Sequence, residues 1–182
     1  MIFRIEYNSD LYMAAYISSL QLVKILRGST GKDFNGSLAA NWNSVNGTLE
    51  QKKPGAEAHT PDITFWQHHL ALSPAAYEAL NSFLSGYGEL LPMTIDDDTW
   101  YIWNATTLAD DCIDHVASEQ TLRNGKVTGI KQLSFSELPT PPIFKLTYDK
   151  RVRIFCTSEF KSLVESLELS GLTFSTNLAE YD

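Results

Sequence analysis

Between Pro54 and Leu122 the sequence has no lysine and no arginine, while eleven carboxylates fall in the same stretch. The other residues hold all fourteen basic groups against eleven acids, so the net charge of −8 divides into −11 in the middle and +3 in the flanks. A chain with a pI of about 4.9 repels phosphate backbones unless it gathers a basic patch. Nucleic acid is therefore not expected as a partner, and a basic protein surface is. Cysteine is scarce. Cys112 and Cys156 form no CxxC or metal-binding pattern and sit among apolar neighbours, so buried free thiols are expected, with a disulfide left open by the sequence. Long apolar runs are missing too: none approaches the ~18–20 residues of a membrane span. After Arg4 the apolar stretches are broken by Asn8, Ser9, Asp10, Ser18, Ser19 and Gln21, with no export-signal core, so the chain is expected to be cytoplasmic and not membrane-bound. Catalytic signatures are also lacking. There is no GxSxG elbow and no HExxH, and Gly86-Tyr87-Gly88 follows a helix where a phosphate loop would precede one. No cofactor, no metal and no enzymatic activity are expected.

What is present is enough for a core: 182 residues, 43% of them hydrophobic and 12% aromatic, which suits one domain over 1–182. Residues 61–175 carry the clearer signals, and 1–60 the weaker ones. Met1–Tyr7 alternates Ile2, Arg4 and Glu6 against Phe3, Ile5 and Tyr7, the pattern of a half-buried strand. Leu11–Leu26 fits a helix in its second half or a strand around Tyr16-Ile17. Ser29–Gly36 is turn-rich, Leu38–Trp42 reads as a short strand, Asn46-Gly47 as a turn and Gln51–Thr60 as an exposed loop. Pro61–Trp66 reads as a strand. Ser73-Pro74 then opens a helix with Tyr77, Leu80, Phe83 and Leu84 on one face, closed by Gly86 and Gly88. Leu90–Ile95 and Thr99–Asn104 form a hairpin across Asp96-Asp97-Asp98. In its second strand Trp100 and Ile102 oppose Tyr101 and Trp103, as in a central strand covered on both faces. Asn124-Gly125 marks a second hairpin with a type I′ turn, and Pro139–Pro142 a rigid connector. Ile143–Tyr148 and Val152–Cys156 read as strands around Asp149-Lys150-Arg151, followed by a helix capped by Ser158, a stop at Gly171 and a strand Leu172–Phe174. Strand, capped helix, glycine stop and strand thus occur at 62–95 and again at 152–174. The fold class is α+β: a mainly antiparallel sheet with a few helices packed on it, containing two similar strand–helix–strand units.

Two acidic clusters stand out in Leu90–Asp114, Asp96-Asp97-Asp98 and Asp110-Asp111 with Asp114, beside Trp100 and Trp103. A carboxylate-rich face with aromatic anchors is what docking a basic partner requires. The opposing readings are a solvated turn with core tryptophans, and pairing within the chain, because residues 123–161 carry eight basic groups against three acids. Asp110, Asp111, Asp114 and His115 also suggest a divalent-cation site and a small metal-dependent hydrolase. The second acidic motif of a diphosphate-binding site and the glycine and closing glutamate of a calcium loop are absent. His68-His69 are adjacent and point apart, which favours a solvated or capping role over zinc.

The block Pro142–Phe174, PIFKLTYDKRVRIFCTSEFKSLVESLELSGLTF, resembles the C-terminal signature of a family of bacterial immunity proteins from polymorphic toxin systems. The matching pieces are Ile143-Phe144-Lys145-Leu146, Val152–Cys156, Ser158 and the ending Leu169-Ser170-Gly171-Leu172-Thr173-Phe174. PDITFW, the LSPAAYEAL helix and the run from Leu90 to Asp114 are similar to its middle, so the resemblance spans about Asp62 to Phe174. It implies a non-enzymatic antitoxin that binds a cognate secreted toxin and spares the producing cell and its siblings. It implies no catalytic residues and does not name the toxin. The partner-binding residues expected on charge grounds are Asp96, Asp97, Asp98, Trp100, Trp103, Asp110, Asp111 and Asp114. An adaptor of a secretion apparatus is the other non-enzymatic reading, and a homodimer stays open.

Overall fold

Trp100 and Ile102 lie on one face of an eight-residue strand and Tyr101 and Trp103 on the other, and each face meets its own apolar cluster. In the computed structural model, which describes residues 1–25, 36–53 and 57–179, this strand lies in the larger of two main sheets. In chain order the elements are β1 (Ile2–Tyr7), β2 (Ala14–Ile17), α1 (Ser19–Ile25), β3 (Val45–Glu50), β4 (Ile63–Trp66), β5 (His69–Leu72), α2 (Pro74–Leu84), β6 (Gly88–Ile95) and β7 (Asp98–Ala105). They continue with β8 (Glu119–Arg123), β9 (Lys126–Gln132), β10 (Ile143–Phe144), β11 (Phe155–Thr157), α3 (Ser158–Ser166) and β12 (Leu172–Ser175). The protein is α+β, as the sequence pattern predicts.

The larger sheet runs β2-β3-β6-β7-β5-β4, antiparallel except where β3 meets β6. Its end strands come together, with Thr64 Oγ1 of β4 donating to Met13 O just before β2 at 2.7 Å, so the sheet curls on itself. One apolar cluster fills the curl, built around Trp66, Met93, Ile95, Trp100 and Ile102. The second sheet runs β10-β11-β1-β12 and is antiparallel throughout. A further cluster draws Phe3 and Ile5 from it, Leu70, Leu72 and Trp103 from the curled sheet, and the buried faces of α2 and α3, where Phe83 and Phe160 stack at 5.8 Å. Both sheets and both longer helices thus share a core.

The two strand–helix–strand units have the same topology. β5 and β6 flank α2 in sequence and both pair antiparallel with β7, which lies between them. β11 and β12 flank α3 and both pair antiparallel with β1. The first residues of the chain therefore complete the C-terminal unit. Ser73 caps α2, its Oγ accepting from Ala76 N at 3.2 Å with Pro74 in the first turn. Gly171, at φ 109°, lies where a Cβ would stand 1.9 Å from Ile63 O, so the crossing of the chain over β4 admits glycine alone.

Several local expectations change. Thr157, not Ser158, caps α3, accepting from Glu159 N at 3.3 Å, while Ser158 Oγ donates to Met1 O. Glu168, left-handed at φ 53°, follows the end of that helix three residues before Gly171. Leu38–Trp42 holds a 3-10 turn at Ala39–Asn41 where a strand was expected. Asn46-Gly47 lies inside β3, because Gly47 lets the backbone approach Met93, whose Sδ would be 2.6 Å from an added Cβ. Both readings of Leu11–Leu26 are realised in succession, as β2 and α1. The turn-rich stretch 29–36 lies outside the described residues except at its end. The strands expected at 143–148 and 152–156 are shorter, with a 3-10 turn at Thr147–Asp149 between them. β1 is covered on both faces: a third cluster, containing Phe144, Phe155 and Leu146, packs on the side of Ile2. Arg4 is consequently buried and pairs with Glu6. His69, expected in a solvated or capping role, is buried in β5 and stacked on Trp66 at 5.3 Å.

Candidate functional site

The β6–β7 hairpin closes in two residues, with Ile95 paired to Asp98 and Asp96 and Asp97 at φ 49° and 67°. Positive φ at both positions defines a type I′ turn, where Asn-Gly or Asp-Gly is the favoured pair. Here two carboxylates occupy it and a third, Asp98, begins the next strand. All three are exposed and make no side-chain hydrogen bond or ion pair among the described residues. The hairpin behind them is anchored by Trp100 and Ile102 in the curl, so the acidic tip stands on rigid strands.

The other expected site residues do not join it. Seven residue steps of extended chain, about 23 Å, separate Asp98 from Ala105, and the second acidic cluster follows that far end. Asp110 is a structural cap: Oδ2 accepts from Thr147 N at 2.9 Å, and Oδ1 from Thr147 Oγ1 at 2.8 Å and Tyr148 N at 3.0 Å. Asp114 Oδ1 accepts from Val116 N and Ala117 N, closing a turn of its own. Asp111 is exposed, with Cys112 Sγ 3.8 Å away, and His115 lies against Tyr148. Among the described residues no three His, Cys, Asp or Glu side chains gather as a metal site would require. Trp100 and Trp103, expected as docking anchors, belong to the core instead. Both are buried, and Trp103 Nε1 donates to Leu84 O at 3.0 Å, tying β7 to the end of α2. Of the eight residues, Asp96, Asp97, Asp98 and Asp111 are exposed, while Asp110 and Asp114 are half-buried.

Pairing of the acidic middle with the basic tract is seen at Lys131–Glu119, an exposed bridge of 2.9 Å across β8 and β9. The Asn124-Gly125 turn of that hairpin is left-handed at both residues, as its type requires. Cys112 and Cys156 are buried and free. Burial pushes the Cys156 thiol up to about 12, and burial with the nearby Asp111 and Glu137 carboxylates raises Cys112, so neither is poised as a thiolate.

A second polar region was not anticipated. Lys145, Asp149 and Arg153 are all buried where the chain passes from β10 to β11. Asp149 Oδ2 accepts from Arg153 N at 3.0 Å, and burial raises its carboxyl while the Arg153 contacts oppose that rise. Lys145 Nζ has no hydrogen-bond partner among the described residues, and burial brings its pKa down to about 8. His68 is held below its ordinary value by burial and by the Lys145 charge, against a hydrogen bond to the Val152 backbone. The one hint in the sequence is a lysine interrupting the apolar run Ile143–Leu146. No family model matches the sequence, and no curated protein matches it either. No helix among the described residues is long and apolar enough to cross a membrane.

Proposed function

We propose that this protein is an immunity protein that binds a cognate secreted toxin through a basic surface and blocks it, protecting the producing cell and its siblings. The observation that carries the reading is the acidic turn. Three exposed, unpaired carboxylates sit at the tip of a rigid hairpin, two of them in left-handed positions that glycine would occupy with less strain. The resemblance of Pro142–Phe174 to the immunity-protein signature supports the same conclusion. Exposed like charges of this kind raise association rates with an oppositely charged partner more than they raise affinity. Occlusion of the toxin needs no chemistry from this chain. The cytoplasm of the producing cell is where such a protein would act.

The test is co-purification of the tagged protein from lysate of its own cells, followed by association kinetics with the toxin domain recovered. A near-stoichiometric secreted toxin whose toxicity is relieved by this protein is the expected result. Replacing Asp96, Asp97 and Asp98 together by Asn should slow association roughly ten-fold at low salt and flatten its salt dependence. A partner that is not toxic would overturn the immunity reading in favour of an adaptor. A toxin bound with unchanged kinetics by the triple variant would keep the reading and remove the acidic turn from it.

A further inference from the structure

The two sheets part at one corner. Where the end of β1 and the β4–β5 turn meet the segment before β11, a crevice of about 300 Å³ opens, lined in part by Tyr7, Phe65, Gln67, His68, Arg153 and Ile154. That volume falls at the lower end of small-molecule pockets. Its register places it away from the acidic turn: Leu72 pairs with Tyr101 and Leu70 with Trp103, so the Trp66–His69 loop lies beyond the Asn104 end of β7.

Three features make it more than a gap. Tyr7 and Phe65 form an aromatic wall, their rings 5.8 Å apart and tilted by 31°. Gln67 holds φ 52° in the two-residue loop between Trp66 and His69, so a long polar side chain is kept at the crevice in a conformation that favours glycine. Lys145, eight residues before Arg153, is 0% exposed, its Nζ finds no hydrogen-bond partner among the described residues, and its charge helps hold the His68 imidazole below its ordinary value. A buried ammonium without a hydrogen bond is costly, the Asp149 carboxylate opposes that cost only in part, and such charges concentrate where their field is used. Arg153 in the lining pairs with the buried Asp149 at 3.5 Å, so the excess positive charge at this corner comes from Lys145, in a protein of net charge −8. Glu6 also lines the crevice, paired with Arg4, and disfavours a dianion such as phosphate.

We propose that this crevice binds a small organic monoanion, a carboxylate on a flat apolar body, with its ring along Tyr7 and Phe65 and its carboxylate toward His68 and Arg153. The inference is independent of the toxin-binding reading, because it concerns the opposite end of β7. Benzoate is the probe, benzamide its neutral counterpart, and amide chemical shifts of the full chain the readout. Saturable shifts at Gln67, His68, Arg153 and Ile154 are expected, with millimolar or tighter affinity for benzoate and at least ten-fold weaker binding of benzamide. Lys145→Met, which keeps the side-chain volume, is expected to weaken benzoate at least five-fold with native spectral dispersion. Should that variant fail to fold, the benzoate–benzamide comparison on the unmodified protein decides. Equal binding of the two probes, shifts centred elsewhere, no saturation by about 20 mM, or unchanged binding by a folded Lys145→Met would each overturn the proposal.

Discussion

Replacing Lys145 by methionine tests how this interior tolerates charge. The side chain is fully buried, and burial lowers its pKa from 10.5 to about 8, with Arg151 adding to the fall and Asp149 opposing it. A shift of that size corresponds to a cost on the order of 3 kcal/mol for holding the ammonium in the folded state at neutral pH. Between pH 8 and 10.5 the unfolded chain binds more protons at this residue than the folded chain does. Its contribution to stability is therefore lowest below pH 8, rises through that window and is complete above 10.5. Methionine removes the charge and nearly keeps the volume. At pH 7 the variant should be more stable by about 2–3 kcal/mol, or roughly 5–10 °C in Tm for a chain of this size. The gap should close as the pH is raised toward 10.5. Burial raises the Tyr101 and Tyr148 hydroxyls, so both proteins lose stability above about pH 10, and the difference between them cancels that loss. Urea unfolding followed by tryptophan fluorescence at several pH values reads the gap. A variant less stable than the parent at pH 7, by an amount independent of pH, would refute the reasoning: Lys145 would then be held charged by partners that compensate it.

Other expectations follow from the same geometry. Trp103→Ala should cost about 3–5 kcal/mol, because it opens a cavity between β7 and α2 and leaves Leu84 O without its indole donor. Gly171→Ala should destabilise by several kcal/mol on the order of a severe steric defect, since its Cβ would meet Ile63 O; a change under about 0.5 kcal/mol would contradict the crossing described. Asp110→Ala should cost about 1–3 kcal/mol by freeing the Thr147 and Tyr148 donors, whereas Asp111→Asn should stay within about 0.5 kcal/mol; equal effects would contradict the capping role. Asp97→Gly should stabilise the hairpin by a few tenths of a kcal/mol while slowing association with the proposed basic partner, separating the turn's strain from its charge.

Much of the architecture was legible where local chemistry is strong. Ser73-Pro74 specifies the start of α2, and Asn124-Gly125 specifies its turn, because capping and left-handed φ are properties of a few adjacent residues. The opposed pairs Trp100/Ile102 and Tyr101/Trp103 announce a strand covered on both sides, since side chains alternate whatever surrounds them. The same alternation misled at Arg4, where a polar residue at every second position suggests a solvent face. The third apolar cluster covers that face, and no local pattern announces it.

The candidate site divides along the same line. Composition and order alone determined that the middle of the chain is acidic, that a hairpin turns at the three aspartates, and that no familiar catalytic motif is present. Only the tertiary structure decided which acidic residues stay exposed and unpaired. Asp110 and Asp114 cap backbone turns, Trp100 and Trp103 belong to two cores, and the two acidic clusters stand a strand's length apart. The crevice was invisible for the same reason, and Lys145 showed only as a lysine interrupting an apolar run. A pocket is made by β1, the β4–β5 turn and the approach to β11, segments separated by some sixty to ninety residues along the chain. Charge, capping and periodicity act over one to four residues and are written in order along the sequence. Burial and convergence depend on which distant strands become neighbours, and the topology of the two sheets supplies that.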